Sequence, residues 1–341
     1  MPLATPHTYL AMLEKAAREG YALPAINVLE MNTLNAAIEG FAAAQSDGIV
    51  AISVAAGVCA SGGLADPVLG AISLAEHAHR LAEKYDVTIA VHTDHCPTEK
   101  VESFLKPLIA ETERRRAAGL PNLFQSHMYD GSALSMRENL DHSVALMRLC
   151  ARNEILLEVE CGVVGGEEDG ISGGGGEKLY TTPEDMIAVY EALHAVPGAR
   201  FTVAATFGNV HGVYKPGQVK LKPSILKQGQ DALEAKHGPD ARLLLVFHGG
   251  SGSTLEEIRE AVSYGVVKMN IHTDTQYAFT RAVADHVFTH YAGVLKVDGD
   301  VGVKNDYLAS AWLAKGRAGM AARVVEACEA LGSRWKAVNH G

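Results

Sequence analysis

The chain has 341 residues and a formal net charge of -10 at pH 7, with 48% hydrophobic and 21% charged residues. This composition is typical of a globular protein with a large core and argues against a disordered chain. Because the excess charge is negative and spread along the chain, we expect no nucleic acid partner. The five cysteines are scattered and form no C-x-x-C pair, which indicates a reduced, cytoplasmic location.

The N-terminal segment, residues 1–20, has the pattern of an amphipathic helix and lacks the apolar region of a signal peptide. No apolar run along the chain reaches the length that spans a membrane. We therefore expect neither secretion nor membrane insertion.

Eight short apolar runs alternate with segments of helical periodicity. Runs that are apolar on both faces indicate parallel strands covered by helices. Eight such units without a Pro/Gly-rich linker favour one closed α/β barrel, the (β/α)8 or TIM barrel, over two doubly wound halves. We expect a single domain over residues 1–341, with the barrel at about 20–290 and a helical extension at about 291–341. The runs cover residues 21–28, 48–54, 87–94, 122–130, 154–162, 200–208, 243–250 and 266–273.

A glycine-rich segment, residues 162–181, follows the fifth run and is longer than ordinary connections in such barrels. A mobile lid and a disordered surface loop fit its composition equally well. Its position after the fifth strand places it on the face where barrel active sites lie, and this favours the lid.

Polar side chains follow several of the predicted strands, where the side chains of a barrel converge on one open mouth. His95, His211 and His248 come after the third, sixth and seventh strands. Taken singly, each could be a capping or core histidine. Together they predict a catalytic zinc site, because three neutral imidazoles with one open position suit Zn²⁺.

Other polar residues of the mouth allow two interpretations. Asp130 and Glu160 could bind a second, harder cation or could serve as hydrogen-bond partners of the zinc ligands. His92, earlier in the third strand, is assigned a structural role. The glycine-rich turn HGGSGS and the nearby Lys268 and Asn270 predict a phosphate-binding site at the seventh and eighth strands.

The motifs HTDHC, GGEEDG, FGNVHGVYKPG, VFHGGSGS and KMNI-TDTQYAFT closely resemble those of the class II, zinc-dependent fructose-1,6-bisphosphate aldolases. The resemblance extends over nearly the whole chain. It implies a TIM barrel that reversibly cleaves fructose 1,6-bisphosphate to dihydroxyacetone phosphate and glyceraldehyde 3-phosphate. It also implies a homo-oligomer, a dimer or a tetramer, whose partner molecule is a sugar phosphate.

The resemblance also implies roles for individual residues. Zinc would be bound by the three histidines, and a second divalent cation by Asp130 and Glu160, with Na⁺ or K⁺ assisting. Glu168 would remove the C3 proton of dihydroxyacetone phosphate, and Asp94 would protonate the aldehyde oxygen. The predicted substrate-binding residues are Asn27, Ser53, Gly212, Gly249, Gly250, Ser251, Lys268, Asn270, His272 and Thr273.

Three segments depart from the family pattern. The family's S-x-G-G-A-x-F is SVAAGVC at residues 53–59, the first aspartate of N-I-D-T-D-T is His272, and the D-P-R stretch, whose arginine contacts the far phosphate, ends in Ser310. The loss of this arginine leaves open, as an alternative, a different aldehyde substrate, including one without phosphate. A catalytically inactive barrel that binds sugar phosphates and a Schiff-base aldolase that uses Lys268 are further alternatives.

Overall fold

The computed structural model describes residues 3–162, 165–168, 171–173, 180–211, 221–250, 252–295 and 301–338, without the side chains at 161, 165–168, 171–173 and 210–211. The strands in these ranges are β1 (Leu23–Asn27), β2 (Gly48–Ile52), β3 (Ile89–Thr93), β4 (Ser126–Tyr129), β5 (Leu156–Cys161), β6 (Gly165–Glu168), β7 (Ile171–Gly173), β8 (Phe201–Ala205), β9 (Val210–His211), β10 (Leu245–Phe247) and β11 (Val266–Ile271).

Thirteen α-helices lie in the same ranges and mostly alternate with the strands. They are α1 (Pro6–Glu19), α2 (Met31–Ala44), α3 (Val54–Ala60), α4 (Pro67–Ala82), α5 (Lys106–Ala117), α6 (Met136–Arg152), α7 (Pro183–His194), α8 (Ser224–His237), α9 (Leu255–Ser263), α10 (Thr273–Thr289), α11 (Tyr291–Val294), α12 (Lys304–Tyr307) and α13 (Ala309–Ala330). None of the helices described is long and apolar enough to cross a membrane.

Eight parallel strands close into a barrel in the order β1-β11-β10-β8-β5-β4-β3-β2. Each of the eight predicted runs contains one of these strands, so the predicted TIM barrel is confirmed. The strands are buried on both faces because the helices cover the outside and side chains fill the inside. β6, β7 and β9 form a separate small sheet that begins in the glycine-rich segment.

Local sequence explains where the outer helices begin. α6 and α9 each start with a capping box, formed by Ser135 with Glu138 and by Thr254 with Glu257. α1 starts after the cap residue Thr5 with a proline in its first turn. The caps of α6 and α9 end the loops that follow β4 and β10, and so determine where these two parts of the barrel mouth end.

The first helix closes the lower end of the barrel. Tyr9, Met12 and Leu13 of α1 are buried in a cluster with residues from the beginnings of the strands, such as Leu23 and Leu156. The Nζ atom of Lys15 also donates to the carbonyl oxygen of Lys336 near the end of the chain, at 2.8 Å. The two ends of the described chain therefore meet beneath the barrel.

The C-terminal helices pack on the outside of the barrel. α13 lies against α2 and α10. The segment after α13 is tied to the region between α2 and β2 by the backbone N-H groups of Trp335 and Val338, which donate to the Ala44 carbonyl and to the Asp47 carboxylate.

Candidate metal and catalytic site

The predicted zinc ligands His95 and His248 lie together at the barrel mouth. His95 follows β3 by two residues and His248 follows β10 directly. Their rings are 4.8 Å apart between centroids. His95 has a φ of 25°, a left-handed conformation that a residue with a side chain adopts rarely and mostly at functional sites.

Two carboxylates surround this histidine pair. The Nδ1 atom of His95 lies 3.2 Å from Oδ2 of Asp130 and 3.7 Å from Oε2 of Glu160. Glu160 also faces His248, with 3.4 Å between Oε2 and Nδ1. Burial alone raises the pKa of Asp130, but the hydrogen bond and charge of His95 outweigh it and hold this pKa below its usual range.

The facing atoms of Glu160 and His248 suit a cation. Oε2 of Glu160 and Nδ1 of His248 are both buried, and neither has a hydrogen-bond partner among the described residues. Burial lowers the pKa of His248, but the hydrogen bond to Glu158 and the adjacent carboxylate of Glu160 outweigh this and raise it to about 9. A proton or a metal cation between the two atoms would satisfy both of these buried polar atoms. A histidine nitrogen and a carboxylate oxygen are also ligands that zinc accepts, so the donors fit zinc.

Candidate metal-binding groups occur in three combinations among the described residues, in each of which the donor atoms lie within 4.8 Å of one another. They are Asp94 with His95 and His248, His95 with Asp130 and Glu160, and His92 with Asp94 and Glu158. The first two share His95, so the geometry allows adjacent cation positions. His211 has its backbone in β9, but its side chain lies outside the described part of the chain.

Asp94 is buried and is held by two amides. The Nδ2 atoms of Asn27 and Asn270 donate to Oδ2 and Oδ1 of its carboxylate, each at 2.7 Å. Asn27 is held in turn by Gln276 of α10. The side-chain N-H group of Gln276 donates to the backbone carbonyl oxygen of Asn27 at 3.0 Å. The carboxylate of Asp94 therefore has a defined orientation beside His95.

Lys268 lies beneath this site rather than in its mouth. Its side chain is 0% exposed, and its Nζ atom is 2.8 and 2.7 Å from the two oxygens of Glu158 and 3.1 Å from Nε2 of His92. An ammonium has three N-H donors, and these three acceptors match them. Lys268 is therefore engaged inside the barrel, and the geometry does not offer it to a substrate phosphate or as a nucleophile.

The remaining predicted substrate-binding residues that the structure describes lie just after the barrel strands. Ser53 is buried and caps α3 by accepting from the backbone N-H of Ala56. Gly249 has a φ of 60°, which favours glycine, and a Cβ atom at Gly250 would lie 2.1 Å from Cε of Met269, so this methionine would have to move. His272 and Thr273 lie at the start of α10. Ser310 is exposed in the first turn of α13.

Three further predicted residues lie wholly or partly outside the described residues. Gly212 and Ser251 are outside them altogether. Glu168 has its backbone at the end of β6, but its side chain is not among those described.

Among the residues that the structure describes, Glu158 and Asn209 belong to the site but were not predicted. Glu158 contacts both His248 and Lys268, and Asn209 joins the loops after β8 and β10 by donating from Nδ2 to the carbonyl oxygen of His248 at 2.8 Å. The only sequence feature that could have indicated Glu158 is the pair Glu158 and Glu160, two residues apart in a strand that should be buried.

Comparisons with known proteins agree with this geometry. The profile of the family described as fructose-bisphosphate aldolase class-II matches residues 7–336. The fructose-bisphosphate aldolase of Mycobacterium tuberculosis is 53% identical to this chain, with 100% of both chains covered. That of Streptomyces coelicolor is 52% identical, with 98% of both covered. The crystal structure of fructose-bisphosphate aldolase from Campylobacter jejuni has a TM-score of 0.86 and 36% sequence identity, covering 98% of this chain and 97% of that one.

Proposed function

The chain belongs to the class II fructose-bisphosphate aldolase family, whose members are carbon-carbon lyases, and from this premise we propose its substrate and site. The substrate is fructose 1,6-bisphosphate, which the enzyme reversibly cleaves to dihydroxyacetone phosphate and glyceraldehyde 3-phosphate. The observation that carries this proposal is Asp94, with both oxygens held by amides, beside His95 and His248 at the barrel mouth.

The proposed metal ligands are His95, His248 and His211. These residues would hold a zinc ion, which would supply a Lewis acid to polarise the ketone of the substrate. The geometry of His95 and His248 supports this assignment, while His211 rests on its place in the family motif. Asp130 and Glu160 are proposed for a second divalent cation, and a monovalent cation, Na⁺ or K⁺, beside the phosphate is proposed from the family resemblance alone.

Two residues are proposed to move protons. In the condensation direction, Glu168 removes a proton from C3 of dihydroxyacetone phosphate, and that carbon attacks the aldehyde. Asp94 then gives a proton to the aldehyde oxygen as it becomes a hydroxyl group. The amides of Asn27 and Asn270 keep the Asp94 carboxyl in one orientation for this transfer.

The other aldehyde and the inactive barrel are less well supported. Relatives that carry the fructose-bisphosphate aldolase name are 52–53% identical over 98% or more of the chain. The Schiff-base mechanism would need Lys268 as a free amine that can reach the substrate. The ammonium of Lys268 is instead paired with Glu158 inside the barrel. We also propose that residues 1–341 act as one domain and that the enzyme works in the cytoplasm.

A homo-oligomer, a dimer or a tetramer, is proposed as the working state. Large apolar side chains are exposed near the end of α10 and on α11 and α12, among them Phe288 at 76% and Tyr291 at 53%. Exposed apolar residues in such a cluster favour contact with another protein surface. Light scattering of the purified chain would measure the number of subunits, and a monomer at micromolar concentration would contradict the proposal.

Two activities test the function: the cleavage reaction and the proton exchange that is one part of it. The zinc-loaded chain should cleave fructose 1,6-bisphosphate, lose this activity after treatment with EDTA, and recover it with zinc. It should also exchange the C3 proton of dihydroxyacetone phosphate with solvent when no aldehyde is present. Glu168→Gln should lose both activities, whereas Asp94→Asn should lose cleavage and retain exchange, because Asp94 acts on the aldehyde oxygen.

Three results would contradict the proposal. They are cleavage that survives EDTA, covalent trapping of the substrate on Lys268 by borohydride, and an aldehyde other than glyceraldehyde 3-phosphate that is preferred by orders of magnitude in kcat/KM.

A further inference from the structure

Glu158 is a fully buried carboxylate one layer below the metal site. It lies on β5, two residues before Glu160, so the two side chains point to the same side of the strand. Its Oε1 atom is 2.9 Å from Nε2 of His248. Glu158 therefore contacts a proposed metal ligand from the side away from Glu160.

Glu158 can only accept hydrogen bonds in this position. Lys268 donates to both of its oxygens, and the hydroxyl of Thr202 donates to Oε2 at 3.1 Å. Each oxygen of Glu158 thus faces the ammonium of Lys268, which can only donate, so the carboxylate is held as an acceptor on both oxygens. Nε2 of His248 must therefore be the donor in the contact with Oε1.

Lys268 is held on its other side by His92. Since the ammonium donates to Nε2 of His92, the remaining nitrogen, Nδ1, carries the ring proton and donates to Oγ of Ser126 at 2.8 Å. Burial, together with the charge of Lys268, lowers the pKa of His92 to about 3, so the ring stays neutral. Lys268 is therefore held between Glu158 and His92, and Glu158 between Lys268, Thr202 and His248.

We propose that Glu158, held in place by Lys268, is a positioning residue that makes Nε2 the protonated nitrogen of His248 and Nδ1 the nitrogen that binds the metal. Nδ1 is the atom that faces Oε2 of Glu160 at 3.4 Å, on the side of His95. Asn209 fixes the backbone of the same histidine, and Glu158 fixes its ring. This inference rests on the proposed zinc-dependent function and adds how one ligand is oriented.

A carboxylate that orients a metal-binding histidine contributes to metal affinity, and its loss weakens binding by roughly 10- to 100-fold. Glu158→Gln should show this loss. The amide has an acceptor oxygen at only one of the two positions at which Lys268 donates. When that oxygen occupies the Oε2 position, where Thr202 also donates, the NH₂ group faces Nε2 of His248 and opposes a proton on that nitrogen. Asp47→Asn is the matched control, because Asp47 is a buried carboxylate at the lower end of the barrel that accepts from Thr88 and Val338.

The first measurement is the zinc dissociation constant of each full-length variant, obtained by competition with a chelating dye. We expect roughly 10- to 100-fold weaker binding for Glu158→Gln and no change for Asp47→Asn. If Glu158→Gln does not fold because Lys268 loses its counter-charge, Glu158→Leu with Lys268→Met removes both charges and the acceptor of Nε2, and should show the same loss. Unchanged affinity in the folded variant would overturn the inference.

The second measurement needs no variant of Glu158. The ¹⁵N spectrum of the zinc-loaded chain, labelled at histidine and assigned with His248→Gln, reports which ring nitrogen carries the proton. A proton on Nε2 of His248 and zinc on Nδ1 support the inference, and the reverse overturns it. If the unaltered chain binds no zinc or cleaves no substrate, the proposed function itself fails; if it does both, only the role of Glu158 is at stake.

Discussion

The side-chain amide of Asn270 donates to Oδ1 of Asp94, with 2.7 Å between the two atoms. The two residues are 176 positions apart in the chain and come from the ends of β11 and β3. Hydrogen bonds to a charged acceptor stabilise it by about 1.5–3 kcal/mol. The amide therefore holds the carboxyl group that we propose for proton transfer.

Asn270→Leu keeps a similar volume and removes this donor. We expect kcat for cleavage to fall roughly 10- to 100-fold, because the Asp94 carboxyl loses one of its two amide partners. Zinc content should not change. Asn35→Leu is the control, since it removes only a hydrogen bond to His77 at the outer helix α2. Steady-state kinetics decide the matter, and a wild-type rate in Asn270→Leu would contradict the expectation.

Substitutions at His95 test its left-handed backbone. With φ at 25°, glycine should be tolerated better than alanine, so metal-free His95→Gly should have a free energy of unfolding about 0.5–1 kcal/mol above that of His95→Ala. At His142, exposed on α6, the order should be reversed by about 1 kcal/mol because helices disfavour glycine. Urea unfolding of the four variants measures both differences. Alanine as the more stable residue at both positions would argue against strain at His95.

Close packing of α3 against α4 is expected to position Ser53. A Cβ atom at Gly70 would lie 1.9 Å from the carbonyl oxygen of Gly57, whereas one at Gly63 meets nothing within 4 Å. Gly70→Ala should therefore destabilise the protein by about 1–3 kcal/mol, because the backbones must separate. Gly63→Ala should have little effect. Thermal unfolding compares the two, and equal melting temperatures would contradict this packing argument.

Stability should fall in mild acid because of His127. Burial, followed by the charge of His92, lowers the pKa of His127 to about 3 from 6.5. The unfolded chain therefore takes up a proton near pH 6.5 that the folded chain does not, so the stabilisation is present above that pH and is lost as pH falls toward 3. Between about pH 7 and about pH 5 the loss is about 2 kcal/mol.

His127→Gln removes this titration. In urea unfolding of the metal-free protein, its free energy of unfolding should decline by about 2 kcal/mol less than that of the wild type over the same interval. Identical pH dependence in the two proteins would show that His127 is protonated equally in the folded and unfolded states.

The barrel could be predicted because its strands are buried on both faces. Runs such as 48–54 and 266–273 therefore lack the alternation of an exposed sheet and stand out between amphipathic helices. The boundaries of the strands were less accurate: β10 covers only Leu245–Phe247 of the run 243–250. The last residues of the predicted run, 248–250, instead belong to the loop that carries His248.

The site could be predicted only in part. Asp94 and His95 follow a strand directly, and this position alone places them at the mouth. Glu158 and Lys268 could not be paired in advance, because they are 110 residues apart and contact each other only through closure of the barrel. Lys268 and Asn270 lie on the same face of β11 but in different layers, and the period of two residues does not distinguish those layers.

The contact between Lys15 and Lys336 also bears on synthesis of the chain. These residues are 321 positions apart, and Lys336 additionally forms an ion pair with Glu19 at 3.2 Å. On a ribosome, the first helix emerges long before its partner segment exists. The contacts of α1 with the segment at Lys336 can therefore form only after nearly all of the chain has been translated. Until then, this end of α1 lacks its C-terminal partner.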